Sequence, residues 1–82
     1  MSHKVLLIDD EPPVRESIRN YLEDYDYQIF EAENGRAGLE LFEKVQPDVV
    51  MVDLRMPVMD GLEVMAHLGE HSSNTPIIVV SG

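Results

Sequence analysis

Two apolar runs of the chain end in aspartate, and these aspartates are the side chains best suited to chemistry. Val5–Ile8 is followed by Asp9 and Asp10, and Val49–Val52 is followed by Asp53. Two unit charges about 4 Å apart repel by roughly 4 kcal/mol at an effective dielectric constant near 20. If the two sets meet in the fold, they need a shared proton or a hard divalent cation. Mg²⁺ fits such a site, because it takes one or two carboxylates together with waters and phosphate oxygens.

The pattern between these acids predicts strands that alternate with helices. Apolar runs of strand length cover 4–8, 27–32, 49–52 and 77–81. Helical spacing of apolar residues begins at Pro12, again after the Asn34-Gly35 turn, and a third time near Gly61. This alternation implies right-handed crossovers and a parallel sheet. The sequence therefore predicts an α/β fold in one domain, 1–82.

The predicted sheet would bring the acids together. In the flavodoxin-like doubly wound order, 2-1-3-4 over these strands, the first and third strands are neighbours and their carboxyl ends form the ligand crevice. Asp9, Asp10 and Asp53 are then expected to converge on one pocket. Three tyrosines near the end of the first helix (Tyr21, Tyr25 and Tyr27) are expected to pack in the core or at its rim.

Composition narrows the function classes. The 82 residues are 44% hydrophobic, which suits one small domain. A net charge of −10 argues against direct binding of nucleic acid, because a polyphosphate backbone attracts clustered Lys and Arg. There is no cysteine, and no apolar run approaches the roughly 20 residues of a membrane span. We therefore expect a cytoplasmic domain without disulfides that does not contact the membrane.

Three segments resemble the CheY-like receiver domains of bacterial two-component response regulators in motif and spacing. They are Val5–Glu11, Pro47–Gly61 and Thr75–Gly82. With the helices between them, the resemblance covers nearly the whole chain. It implies a receiver domain of which this chain is the N-terminal two-thirds.

The resemblance also implies a role for each site residue. Asp53 would be the phosphoacceptor, and Asp9 and Asp10 would bind Mg²⁺ or Mn²⁺ together with Asp53. The backbone carbonyl of Arg55 would reach the same metal, and the Ser81 hydroxyl would contact the phosphoryl oxygens. The donor would be a sensor histidine kinase or a phosphotransfer protein, and the response would fall to an output domain or partner protein outside this chain. Such a domain catalyses its own phosphorylation without being a classical enzyme.

The same resemblance indicates what these 82 residues lack. The family's fifth strand, its last two helices and its phosphoryl-binding lysine have no counterpart, since Lys4 and Lys44 are the only lysines. We therefore expect this form to be phosphorylated slowly or not at all. Ile77–Val80 would become an exposed sheet edge, so we expect either that a second molecule completes this edge in a dimer or that the natural polypeptide continues beyond Gly82.

Three rival functions remain open. A haloacid-dehalogenase-type phosphotransferase needs a second acid two residues after its nucleophile, where this chain has Arg55. A flavodoxin-type flavin binder needs a glycine- and hydroxyl-rich phosphate loop, whereas the acids at 9–11 would repel a phosphate. The third rival is a truncated receiver that is not phosphorylated and acts only as an interaction module.

Overall fold

The structure is a computed structural model that describes residues 3–53, 63–64, 66–67 and 75–80. Its elements follow the predicted alternation: β1 (Lys4–Ile8), α1 (Pro12–Glu23), β2 (Gln28–Ala32), α2 (Gly35–Val45), β3 (Val49–Asp53) and β4 (Ile77–Val80). Glu63, Val64, Ala66 and His67 are helical, where the sequence predicts a third helix. The predicted start of that helix near Gly61 lies outside the described residues.

The four strands form one parallel sheet in the order β2-β1-β3-β4. This confirms the predicted α/β class and the flavodoxin-like strand order. Ile8, the last residue of β1, pairs with Ala32 of β2 on one side and with Val52 of β3 on the other. Because the residues after Ile8 and after Val52 are both aspartates, this register brings Asp9 level with Asp53.

The core is built around the central strand β1. Val5, Leu6, Leu7 and Ile8 are each at most 2% exposed, so both faces of this strand are covered. Complete burial of one such side chain contributes about 1.5–3 kcal/mol. The strand that carries the first two aspartates is therefore the most firmly anchored part of the sheet.

Local signals set the helix boundaries. α1 begins with two prolines, which are tolerated in a first turn because the amide hydrogens there have no helical partner. α2 begins after Asn34, whose side-chain oxygen accepts a hydrogen bond of 2.8 Å from the Ala37 amide. It ends at Val45, and the following residue, Gln46, is left-handed with φ 51°. In the parts of the chain that the structure describes, no helix has the length and apolar character of a membrane span.

α1 lies less deeply than its apolar spacing predicts. The helix, which is described over its full length, has no fully buried residue. Tyr21 and Tyr25 are 63% and 61% exposed, so the prediction that they pack in the core or at its rim is wrong. Their rings instead contact each other, with centroids 5.1 Å apart.

β4 is an edge of the sheet among the described strands, and its pairing with a second molecule stays a prediction.

At Gly38, α2 lies close against β1. A Cβ atom there would overlap the Ile8 side chain, meeting its Cγ1 at 2.7 Å. Ile8 is 1% exposed and β-branched, so it has little freedom to move away. The absence of a side chain at Gly38 therefore sets the distance between the helix and the strand.

We expect Gly38→Ala to destabilise the domain by about 1–3 kcal/mol, the usual cost of overpacking a core. The sign is informative, because Gly→Ala inside a helix otherwise stabilises by about 0.5–1 kcal/mol. Urea denaturation measures the change. Glu40→Ala, at an exposed position of the same helix, is the control and should change stability little. A Gly38→Ala variant that is more stable than the parent would contradict the close packing.

Candidate functional site

Three carboxylates lie together where β1 and β3 end. Asp9 and Asp10 follow β1, and Asp53 is the last residue of β3. One carboxylate oxygen from each lies within 4.8 Å of the others. Asp9 is 3% exposed and Asp53 is 9% exposed, while Asp10 is half-buried. The structure thus brings together the three aspartates that the strand pattern predicted to converge.

Hydrogen bonds hold Asp9 from three sides. Its amide donates to the Ala32 carbonyl at 3.1 Å, which extends the β1–β2 ladder by one residue. Its Oδ1 accepts a hydrogen bond of 2.8 Å from the Glu11 amide, and its own carbonyl accepts one of 2.6 Å from Arg15 Nη1. Both the backbone and the carboxylate of Asp9 therefore have a defined orientation.

The cluster perturbs the acidity of Asp9. Burial raises the pKa of the Asp9 carboxyl above its ordinary value, and the charges of Asp53 and Asp10 raise it further. The Glu11 amide and the Arg15 guanidinium act in the opposite direction. The net rise means that the folded protein holds the charged form of Asp9 at a cost.

A hard divalent cation is the ligand that such a cluster fits best. All three side chains offer carboxylate oxygens, which Mg²⁺ and Mn²⁺ prefer over nitrogen or sulfur ligands. A dication would also offset the repulsion that raises the pKa of Asp9. The donor chemistry and the spacing of Asp9, Asp10 and Asp53 therefore suit a small oxygen-ligated metal ion.

Two predicted site residues, Arg55 and Ser81, lie outside the described residues. The chain neighbour of Ser81 is described, however: Val80 pairs with Asp53 in the parallel register of β3 and β4.

The sequence analysis did not predict the contacts of two side chains near the site, Arg15 and Glu31. Arg15 contacts the Asp9 carbonyl, and its Nε lies 3.4 Å from Glu31 Oε1. The sequence places Arg15 in the helix that follows the aspartates, but this position alone does not reveal which residues the Arg15 side chain contacts.

Comparison with known proteins identifies one family. The family model described as the response regulator receiver domain matches residues 5–82. The regulatory protein AtoC of Escherichia coli is 35% identical over 79 residues, which are 96% of this chain and 17% of that protein. The transcriptional regulatory protein SrrA of Staphylococcus aureus is 38% identical over 81 residues, 99% of this chain and 33% of that protein. The chain thus spans a third or less of these curated relatives.

Solved structures agree with the sequence comparisons. The response regulator TrrA of Thermotoga maritima, in complex with Mg²⁺ and BeF, superposes with a TM-score of 0.93 at 34% identity. That likeness covers 99% of this chain and 70% of TrrA. Both the strand order and the spacing of the matched segments are therefore those of known receiver domains.

We expect Asp9→Asn to raise the melting temperature at neutral pH in the absence of divalent cations. Because the pKa of Asp9 is raised on folding, folding favours its protonated form. Its contribution to stability is therefore complete below the unfolded pKa and is lost as the pH rises through the folded pKa. The Asn side chain keeps the acceptor for the Glu11 amide and removes the charge. Thermal melting from acidic to neutral pH measures the effect.

Glu40→Gln is the matched control, since it removes one negative charge from an exposed position on α2. It should leave the pH dependence of the parent intact. If Asp9→Asn melts at a lower temperature than the parent at neutral pH, the account of a strained buried charge is wrong.

Proposed function

The chain belongs to the response regulator receiver domain family, and on that premise we propose that Asp53 accepts a phosphoryl group beside an Mg²⁺ site. The observation that carries this proposal is the cluster of three carboxylates whose oxygens lie within 4.8 Å of one another. Asp53 closes β3, and Asp9 and Asp10 follow the neighbouring strand β1. The three acids together can hold a cation beside the carboxylate of Asp53.

The receiver resemblance assigns the nucleophile to Asp53, and the state of Asp9 makes Asp9 unsuited to that role. The Asp9 carboxylate is already engaged by the Glu11 amide, and its raised pKa disfavours the charged form. In the proposed reaction an Asp53 carboxylate oxygen attacks phosphorus and forms an O–P bond. The bond from phosphorus to the donor breaks, and the electron pair leaves with the donor. The product on the protein is an acyl phosphate.

Asp9, Asp10 and Asp53 would hold the Mg²⁺ or Mn²⁺ ion. When bound, such a cation supplies positive charge to the transferring phosphoryl oxygens, where most catalysis of phosphoryl transfer lies. From the family resemblance we also propose that the Arg55 carbonyl binds the cation and that the Ser81 hydroxyl contacts the phosphoryl group. The pairing of Val80 with Asp53 supports the second assignment, because Ser81 is the next residue in the chain.

We propose a sensor histidine kinase or a phosphotransfer protein as the donor. The domain then acts as a self-phosphorylating switch rather than as a classical enzyme. AtoC and SrrA are named as regulatory proteins and are three to six times as long as the matched region. This supports control of an output domain or partner protein outside these 82 residues. The net charge of −10 argues against direct contact of this domain with nucleic acid.

The rival interaction module that is never phosphorylated is not favoured. A module that only binds other proteins has no need of three repelling carboxylates near the end of its most buried strand. Retaining them costs stability unless they serve a ligand. The cluster of Asp9, Asp10 and Asp53 therefore supports a chemical role.

We expect a full-length form that includes the family's phosphoryl-binding lysine to gain one phosphoryl mass when incubated with acetyl phosphate and Mg²⁺. The 82-residue form should gain it much more slowly or not at all. Asp53→Asn should abolish the gain, because an amide is a poor nucleophile. Intact mass spectrometry measures both outcomes. Asp48→Asn, an exposed acid just before β3, is the matched control and should still be labelled. Labelling that persists in Asp53→Asn would place the acceptor at another residue.

We also expect weak Mg²⁺ binding that depends on Asp10. Asp10→Ala should lower the affinity at least about tenfold, since one of few protein ligands is lost. Glu40→Ala removes the same charge from an exposed site on α2 and should change the affinity little. Isothermal titration calorimetry compares the two variants. An equal loss in both would indicate nonspecific attraction by the net negative charge.

A further inference from the structure

We propose that Arg15 is a positioning residue for the acidic site. Its guanidinium joins the main chain of Asp9 to the carboxylate of Glu31 and thereby orients the Asp9 carboxylate for cation binding. This inference rests on the proposed function, because it concerns the same cation site. Arg15 itself would touch neither the cation nor the phosphoryl group.

The first half of the link is a direct contact with the loop after β1. Arg15 Nη1 donates a hydrogen bond of 2.6 Å to the backbone carbonyl of Asp9. Asp9 is 3% exposed, so a buried carbonyl that lost this donor would have little access to water. The carbonyl belongs to the peptide bond between Asp9 and Asp10, and its orientation helps to set the directions in which both side chains leave the backbone.

The second half of the link anchors the arginine on β2. Arg15 Nε lies 3.4 Å from Glu31 Oε1, and Arg19 Nη1 lies 2.7 Å from Glu31 Oε2. Arg15 Nε is buried and makes no hydrogen bond within the described part of the chain, so the Glu31 charge is what holds this end. The Arg15 side chain is only 16% exposed, which reduces screening of the pair by water.

The anchor is well placed to act on Asp9. Glu31 precedes Ala32, whose carbonyl accepts the hydrogen bond from the Asp9 amide. β2 therefore holds the Asp9 amide directly and the Asp9 carbonyl through Arg15. With its backbone amide and carbonyl both fixed to β2 and its Oδ1 bonded to the Glu11 amide, the Asp9 carboxylate has a defined orientation.

The direction in which Mg²⁺ affinity changes when Arg15 is removed distinguishes a positioning role from an effect of its charge alone. Arg15 is a positive charge near a site for a cation, and it lowers the pKa of Asp9. If Arg15 acted only through its charge, removing it would strengthen Mg²⁺ binding. If it positions Asp9, removing it weakens binding, and loss of partners outside the ligand set typically costs about 10–100-fold in metal affinity. The two readings predict opposite changes.

The test is an Mg²⁺ titration of the full chain, followed by the ¹⁵N amide resonances of Asp9, Asp10 and Asp53. Arg15→Gln should raise the dissociation constant about tenfold. Arg15→Lys keeps the positive charge but lacks the guanidinium fork that reaches the Asp9 carbonyl and Glu31 together, so it should weaken binding as well, whereas charge alone predicts no change. It decides the matter if Arg15→Gln does not fold. Thermal melting confirms that each variant compared is folded.

Arg19→Gln is the matched control. It removes the same charge from the same helix and the same Glu31 partner, yet Arg19 has no hydrogen bond to Asp9 among those of the described residues. Its Mg²⁺ affinity should equal or exceed that of the parent. Binding by folded Arg15→Gln as tight as the parent's, or tighter, overturns the positioning role alone. Failure of the parent to bind Mg²⁺ at these three aspartates overturns the proposed cation site, and the inference with it.

Discussion

The strand register holds three carboxylates together, and the repulsion among them is the constraint that the rest of the structure must offset. The pairing of Ile8 with Val52 makes β1 and β3 end level with each other, so Asp9 and Asp53 meet. Two unit charges about 4 Å apart cost roughly 4 kcal/mol at an effective dielectric constant near 20. That cost is a large fraction of the 5–15 kcal/mol by which a typical domain is stable. The rest of the fold must therefore hold the three aspartates close together against their mutual repulsion.

The apolar sheet provides that support. The four core residues of β1 are buried on both faces, and Gly38 allows α2 to lie directly against Ile8. The strand that carries Asp9 thus cannot shift to relieve the repulsion without opening the core. Burial and, after it, this repulsion raise the pKa of the Asp9 carboxyl, and a bound cation would offset the repulsion. Stability and cation binding are coupled through one residue.

The sequence predicted those features that depend on short-range pattern. Apolar runs that end in aspartate located both halves of the site, and the alternation of strands and helices led to the parallel sheet. The Asn34-Gly35 pair predicts the turn before α2, and the Asn34 side chain caps that helix. Each of these signals lies within a few residues of the feature that it predicts.

What the sequence could not provide was orientation between distant elements. Helical spacing placed Tyr21 on the apolar side of α1, but it did not tell how far that side reaches over the sheet. The link from Arg15 to Glu31 crosses 16 residues and depends on which side of α1 faces β2. The left-handed Asp26 and Gln46 were likewise not predicted, because residues other than glycine rarely adopt a positive φ.

The most direct test of the account is the paramagnetic broadening of amide resonances by Mn²⁺, which is bound by the same oxygen ligands as Mg²⁺. At substoichiometric Mn²⁺, a cation site at the ends of β1 and β3 predicts selective loss of the amide signals of Asp9, Asp10 and Asp53. The amides of Tyr27 and Gln28, at the opposite end of the sheet, should remain sharp. Broadening that instead centres on the exposed acids Glu23 and Asp24, or that spares Asp53, would contradict a cation site at the ends of β1 and β3.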